Sequence, residues 1–117
     1  MILVDTSVWI NHLRDGNKQL SEFLVRGDVA CHPLIIGELA CGHLQRRKEI
    51  LALLDALPSV ERVSDDEILF FIEKHRLCGC GLGLIDIHLL ASCSITPAAL
   101  WTLDSKLQKA AKDFGIE

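Results

Sequence analysis

Ile2-Leu3-Val4 is an unbroken apolar run closed by Asp5, and Val8, Trp9, Ile10 and Leu13 then recur at helical spacing. This predicts a strand over residues 2–5 and a helix capped by Thr6 or Ser7, broken at Asp15-Gly16-Asn17. A second helix is predicted from about Lys18 to Arg26, after which Gly27-Asp28 turns into a short strand at Val29–Cys31. Pro33 starts a third helix, which places Leu34, Ile35 and Glu38 inside it.

Ile50, Leu53, Leu54 and Leu57 repeat at i, i+3, i+4, i+7, so residues 46–57 form an amphipathic helix ended by Pro58, with a strand at Val60–Val63. Ser64-Asp65-Asp66-Glu67 matches a capping box before the Ile68, Phe71, Ile72, His75 face. That helix dissolves in Cys78-Gly79-Cys80-Gly81-Leu82-Gly83, a loop that follows a helix and lacks the Gly-Lys-Ser/Thr ending of a phosphate-cradling P-loop. A helix over Leu84 to about Ser94, a strand at Leu100–Thr102 ending at Asp104, and a last helix lined by Leu107, Ala110, Ala111 and Phe114 complete the chain. Gly115-Ile116-Glu117 is a candidate edge strand.

The order βαα-βαα-βαα-β-α implies an α/β fold: a three-layer α/β/α domain on a parallel sheet of four or five strands. At 117 residues and 50% hydrophobic, residues 1–117 fit one domain. Met1 leads directly into the first strand, without the basic start or extended apolar core of a secretory signal, and the longest uncharged stretch falls short of the roughly 20 apolar residues a bilayer span needs. Five cysteines without C-x-x-C spacing read as reduced thiols. A cytoplasmic protein with no membrane partner is the expectation, and a zinc cluster at Cys78, Cys80 and His75 is disfavoured on ligand count.

Asp5 and Asp104 directly follow apolar strands, where an open parallel sheet gathers its chemistry, while Glu38 and Asp86 lie on predicted helices. Each has a simpler reading: Asp5 and Asp104 can cap the helices that follow them. Glu38 reads equally well as a solvated helix position. Asp86, among Leu84, Ile85, Ile87, Leu89 and Leu90, needs a cap or a partner. Four carboxylates crowded into one cleft repel, and hard divalent ions with oxygen ligands are the expected remedy. Mg²⁺ or Mn²⁺ held this way suits hydrolysis of phosphodiesters by a metal-activated water.

The net charge of −4 equals the charge of these four acids, which two divalent ions would cancel. Contact with RNA would then rest on local clusters, Arg46-Arg47-Lys48 and the helical series Lys106, Lys109, Lys112, each of which reads equally well as a solvated face.

With these residues in place the chain resembles the PIN-domain ribonucleases, most closely the VapC-type toxins of toxin–antitoxin pairs. The likeness spans the chain and rests on Ile2-Leu3-Val4-Asp5-Thr6-Ser7-Val8-Trp9-Ile10, Ile35-Ile36-Gly37-Glu38-Leu39, Gly83-Leu84-Ile85-Asp86-Ile87-His88 and Leu100-Trp101-Thr102-Leu103-Asp104. It implies an endoribonuclease in which Asp5, Glu38, Asp86 and Asp104 bind Mg²⁺ or Mn²⁺, supported by hydrogen bonds from Thr6, Ser7 and Thr102. It further implies an RNA substrate, a cognate antitoxin and a homodimer.

His88 reads as a satisfied core histidine and stays outside the site. Trp101 is expected in the core of an inner strand, and Trp9 can pack or stack on a base. Haloacid-dehalogenase chemistry is disfavoured by Ser7, which stands where a second aspartate is needed, and a receiver domain by the lack of an acceptor after Val63. The alternative that stays open is a catalytically weak PIN-like module that binds RNA or protein.

Overall fold

Leu3 and Val4 point to opposite faces of the first strand and both are fully buried, so both faces of the sheet are covered. The computed structural model describes all residues 1–117. Its order is β1 (Ile2–Val4), α1 (Thr6–Asp15), α2 (Lys18–Val25), β2 (Val29–Ala30), α3 (Pro33–Ala40), α4 (Arg47–Asp55), α5 (Asp65–Lys74), α6 (Leu84–Ile95), β3 (Ala99–Trp101) and α7 (Ser105–Asp113).

The strands are parallel in the order β2-β1-β3. Ile2 pairs with Val29 and Ala99, and Leu3 with Ala30 and Leu100. One cluster of buried side chains from all three strands and from α1, α2, α3, α4, α6 and α7 makes the main core. Val63 and Ile68 pack with Ile87 and Ala91 in a smaller cluster that fixes α5 against α6.

The sheet has three strands where four or five were expected. At Val60–Val63 the chain makes only a single parallel bridge, Cys31 with Ser59, held by Cys31 N–H to Pro58 O (2.8 Å) and Val60 N–H to Cys31 O (3.1 Å). Pro58 has no N–H to give, which confines it to a sheet edge. At the other edge the Leu100 N–H donates to Ile116 O, and Gly115-Ile116-Glu117 pairs no further. Both missing strands thus survive as one-residue edges. β3 is therefore an outer strand, and Trp101 is half-buried with its ring edge-on to Phe23 (6.1 Å). Trp9 is the deeper tryptophan, 4% exposed, and has no face to offer a base.

Most helix boundaries follow the sequence signals, but α1 is capped by Asp5 and not by Thr6 or Ser7, since the Asp5 carboxylate accepts from the Ser7 N–H and Thr6 already begins the helix. Ser64 and Glu67 form the capping box, with bonds of 3.1 and 3.0 Å. His32 caps α3 through Nδ1, which accepts from the Leu34 N–H. Sheet order reverses direction at β1: β2 lies to one side and β3 to the other. The crevice beyond the carboxyl end of β1 is the place where such sheets collect ligands.

Candidate active site

Asp5 is the first residue beyond β1, and its backbone N–H still donates to Trp101 O (2.9 Å), which ties it to β3. Its carboxylate is 6% exposed, and Oδ2 accepts from Ser7 Oγ and Thr102 Oγ1, each at 2.8 Å. Since both hydroxyl protons go to Asp5, the two hydroxyl oxygens are free to accept. Ser7 Oγ takes the Leu103 N–H and Thr102 Oγ1 the Asp104 N–H, both at 3.0 Å. One buried carboxylate therefore organises the ends of β1 and β3 through two hydroxyls.

Asp104 caps α7 as its sequence position predicts: Oδ1 accepts from the N–H groups of Lys106 (2.9 Å) and Leu107 (3.0 Å). Glu38 lies on α3, and Oε1 accepts from Thr6 Oγ1 at 2.7 Å. Asp86 stands in the first turn of α6, where Oδ2 takes the Gly83 N–H at 3.1 Å. Because Gly83 has no side chain, this is the half of a capping box that a glycine allows. Each of the four carboxylates thus commits one oxygen to the protein and leaves the other uncommitted.

The acids share one electrostatic neighbourhood. Burial first, then the charges of Asp5, Asp104 and Glu38, raise the Asp86 carboxyl above its usual range, against the lowering effect of the Gly83 N–H. All four predicted acids and all three predicted hydroxyl residues, Thr6, Ser7 and Thr102, fall in this network. The side chains do not converge into a closed cage, for no three His, Cys, Asp or Glu groups stand close enough to hold one ion directly. An oxygen-only set of this kind fits a hard cation that keeps several of its waters, since water can bridge the remaining gaps.

The basic clusters divide. Arg46 is engaged by Glu49 through Nε and Nη2 (3.0 and 3.1 Å), and Arg47 donates to Ala40 O and Gly42 O (3.1 Å) at the end of α3. Two of the three Arg46-Arg47-Lys48 side chains are thus occupied within the protein. Lys106, Lys109 and Lys112 are all exposed along α7.

His88 is buried as expected but its Nδ1 has no partner, and the same holds for Nε2 of the fully buried His32, whose ring centroid lies 6.3 Å away. Burial also pushes the Cys31 thiol up to about 11 and the Cys93 thiol to about 12, which makes both unreactive. The buried character of His32 was missed in the sequence; the signal was its place between an apolar strand and Pro33.

Four carboxylates, one of them braced by two hydroxyls, thus share the neighbourhood of the switch point of a parallel α/β sheet. The PIN domain model matches residues 2–113, and the chain belongs to the PIN-domain family. Two proteins of Mycobacterium tuberculosis, both named Ribonuclease VapC32, one from strain CDC 1551 / Oshkosh and one from strain ATCC 25618 / H37Rv, are each 44% identical over 117 residues. The alignment covers 99% of this chain and 94% of either relative.

Proposed function

We propose that residues 1–117 form one nuclease domain, a metal-dependent endoribonuclease acting as the toxin of a toxin–antitoxin pair. The observation that carries this reading is the set of four carboxylates around the β1 switch point, each with one oxygen uncommitted and three of them raising the fourth. The names of the relatives, ribonucleases of the VapC type, support RNA as substrate and an antitoxin as partner.

In this reading Asp5, Glu38, Asp86 and Asp104 hold Mg²⁺ or Mn²⁺. When bound, such an ion supplies Lewis acidity toward water and phosphate oxygen. Asp5 is fixed by Ser7 and Thr102 so that its uncommitted oxygen faces one direction, and Thr6 does the same for Glu38. Asp86 is positioned for the ion by the Gly83 N–H, which holds one of its oxygens.

A groove of about 590 Å³ between the end of α1 and residues 43–50, with Ile10, Leu13, Leu44 and Ile50 in its lining, supports an apolar antitoxin segment as its occupant. A homodimer in the cytoplasm completes the proposal; no helix is long and apolar enough to cross a membrane. The second reading, a PIN-like module that binds without cutting, draws on the lack of direct convergence of the acids.

The test is cleavage of a labelled mixed RNA pool by antitoxin-free protein with Mn²⁺, Mg²⁺ or chelator, wild type against Asp86→Asn. Metal-dependent cleavage that falls by about 10²-fold or more in the variant supports the assignment. Equal cleavage by both proteins removes Asp86 from the site, and a folded wild type that cuts no RNA favours the binding module.

A further inference from the structure

We propose that Lys106 is a substrate-positioning residue whose ammonium receives a backbone phosphate of RNA lying across the acid cluster, an inference that rests on the nuclease reading above. Lys106 is in the first turn of α7, two residues after Asp104, and its backbone N–H is one of the two that Asp104 Oδ1 accepts. Its side chain runs back over Gly81: a Cβ at that glycine would meet Lys106 Nζ at 3.0 Å, Cδ at 3.1 Å and Cε at 3.4 Å. Gly81 has φ +84°, a region costly for residues with a side chain, so conformation and clearance both keep this position bare beneath the lysine.

The lysine therefore bridges from the element bearing Asp104 to the loop that leads, through Gly83, into Asp86. A cation laid between two carboxylate-bearing elements would ordinarily pair with one of them. This one pairs with neither: the ion pairs of the molecule are Arg14 with Asp15 and Arg46 with Glu49, and the Lys106 ammonium donates no hydrogen bond inside the protein. Its stem is seated and its charge is unspent, which is the condition for binding an incoming anion.

Phosphate at this position also answers an electrostatic need, because an RNA strand approaching four carboxylates is repelled unless positive charge lines its path. Lys109, three residues further along α7, is the neighbour of Lys106 on the helix surface. Surface lysines elsewhere, such as Lys18 at the start of α2, have no such relation to the acids.

The test compares Lys106→Met, Lys106→Arg and Lys18→Met for metal-dependent cleavage of the mixed RNA pool. Binding of a fluorescein-labelled uridine oligoribonucleotide across a potassium chloride series is measured in the Asp86→Asn background. Lys106→Met is expected to lower kcat/KM by about ten- to a hundredfold, with most of it restored by Lys106→Arg and no change in Lys18→Met. The log–log salt slope of binding should become shallower by about 0.7 for loss of one single-strand phosphate contact. Unchanged cleavage and slope in Lys106→Met overturn the proposal, as does a loss that Lys106→Arg does not restore and that tracks a lowered melting temperature. If the wild type cuts nothing, the nuclease reading falls by itself, and the salt slopes of wild type and Lys106→Met then decide whether Lys106 still contacts RNA.

Discussion

Thr102 does two things with one hydroxyl: it donates to Asp5 at 2.8 Å and accepts the Asp104 N–H at 3.0 Å. Thr102→Val keeps the shape and removes both bonds, leaving a buried carboxylate with one hydroxyl donor and a backbone N–H without its acceptor. The expected outcome is a stability loss of about 1–3 kcal/mol by urea titration, with a tenfold or greater fall in cleavage. His32 makes a different prediction. Its Nδ1 must stay bare to accept the Leu34 N–H, and burial first, then the charges of His88 and Arg62, lower its pKa from 6.5 to about 4. The unfolded chain takes up this proton at a higher pH than the folded one, so the stability is whole above about 6.5 and drains away as pH falls toward 4. His32→Asn retains an oxygen for the cap and removes the titration. Its melting temperature should therefore fall less between pH 7 and 5 than that of the wild type, and parallel curves would count against this account. Asp5 and Asp104 stand at strand ends and cap helices as their positions in the sequence predict, because both features are local. The sequence left His32 out, because its place between an apolar strand and Pro33 marks a buried position but not the His88 ring that meets it from α6.

At the scale of elements, the ends of α3 and α4 hold each other. Arg46 takes the left-handed conformation (φ 54°) before α4 without a side-chain cap, and Arg47 reaches back to the last carbonyls of α3, where the helix dipole is negative. Arg47→Ala should cost about 1–2 kcal/mol through loss of these charge-assisted bonds, read from the denaturant midpoint, with cleavage by the surviving fold little changed. An effect on RNA affinity larger than that on stability would return Arg47 to the substrate surface. The same pair shows what one dimension hides: of three adjacent cations, backbone carbonyls and Glu49 engage two. The strand at Val60–Val63 failed for a related reason. Val60 and Val63 are buried but Glu61 and Arg62 between them are exposed, and Pro58 just before the bridging Ser59 has no N–H to extend the ladder, so the pairing stops at one bridge.

For the whole molecule, burial and the charges of Asp5, Asp104 and Glu38 raise the Asp86 carboxyl, and under the proposed reading a bound cation would relieve that crowding. Asp86→Asn, which keeps an oxygen for the Gly83 N–H, should raise the melting temperature in chelator, and Mn²⁺ or Mg²⁺ should raise that of the wild type more than that of the variant. Equal metal shifts in the two proteins would mean that the ion binds elsewhere. The sequence by itself determined the helices, the first strand and the α/β class, because hydrophobic period, capping residues and prolines act over a few neighbours. The tertiary structure decided how many strands close the sheet, which cations remain unpaired, and that the Lys106 side chain crosses Gly81. Those outcomes depend on segments far apart in the chain competing for the same backbone bonds and the same space, and no local pattern records who wins.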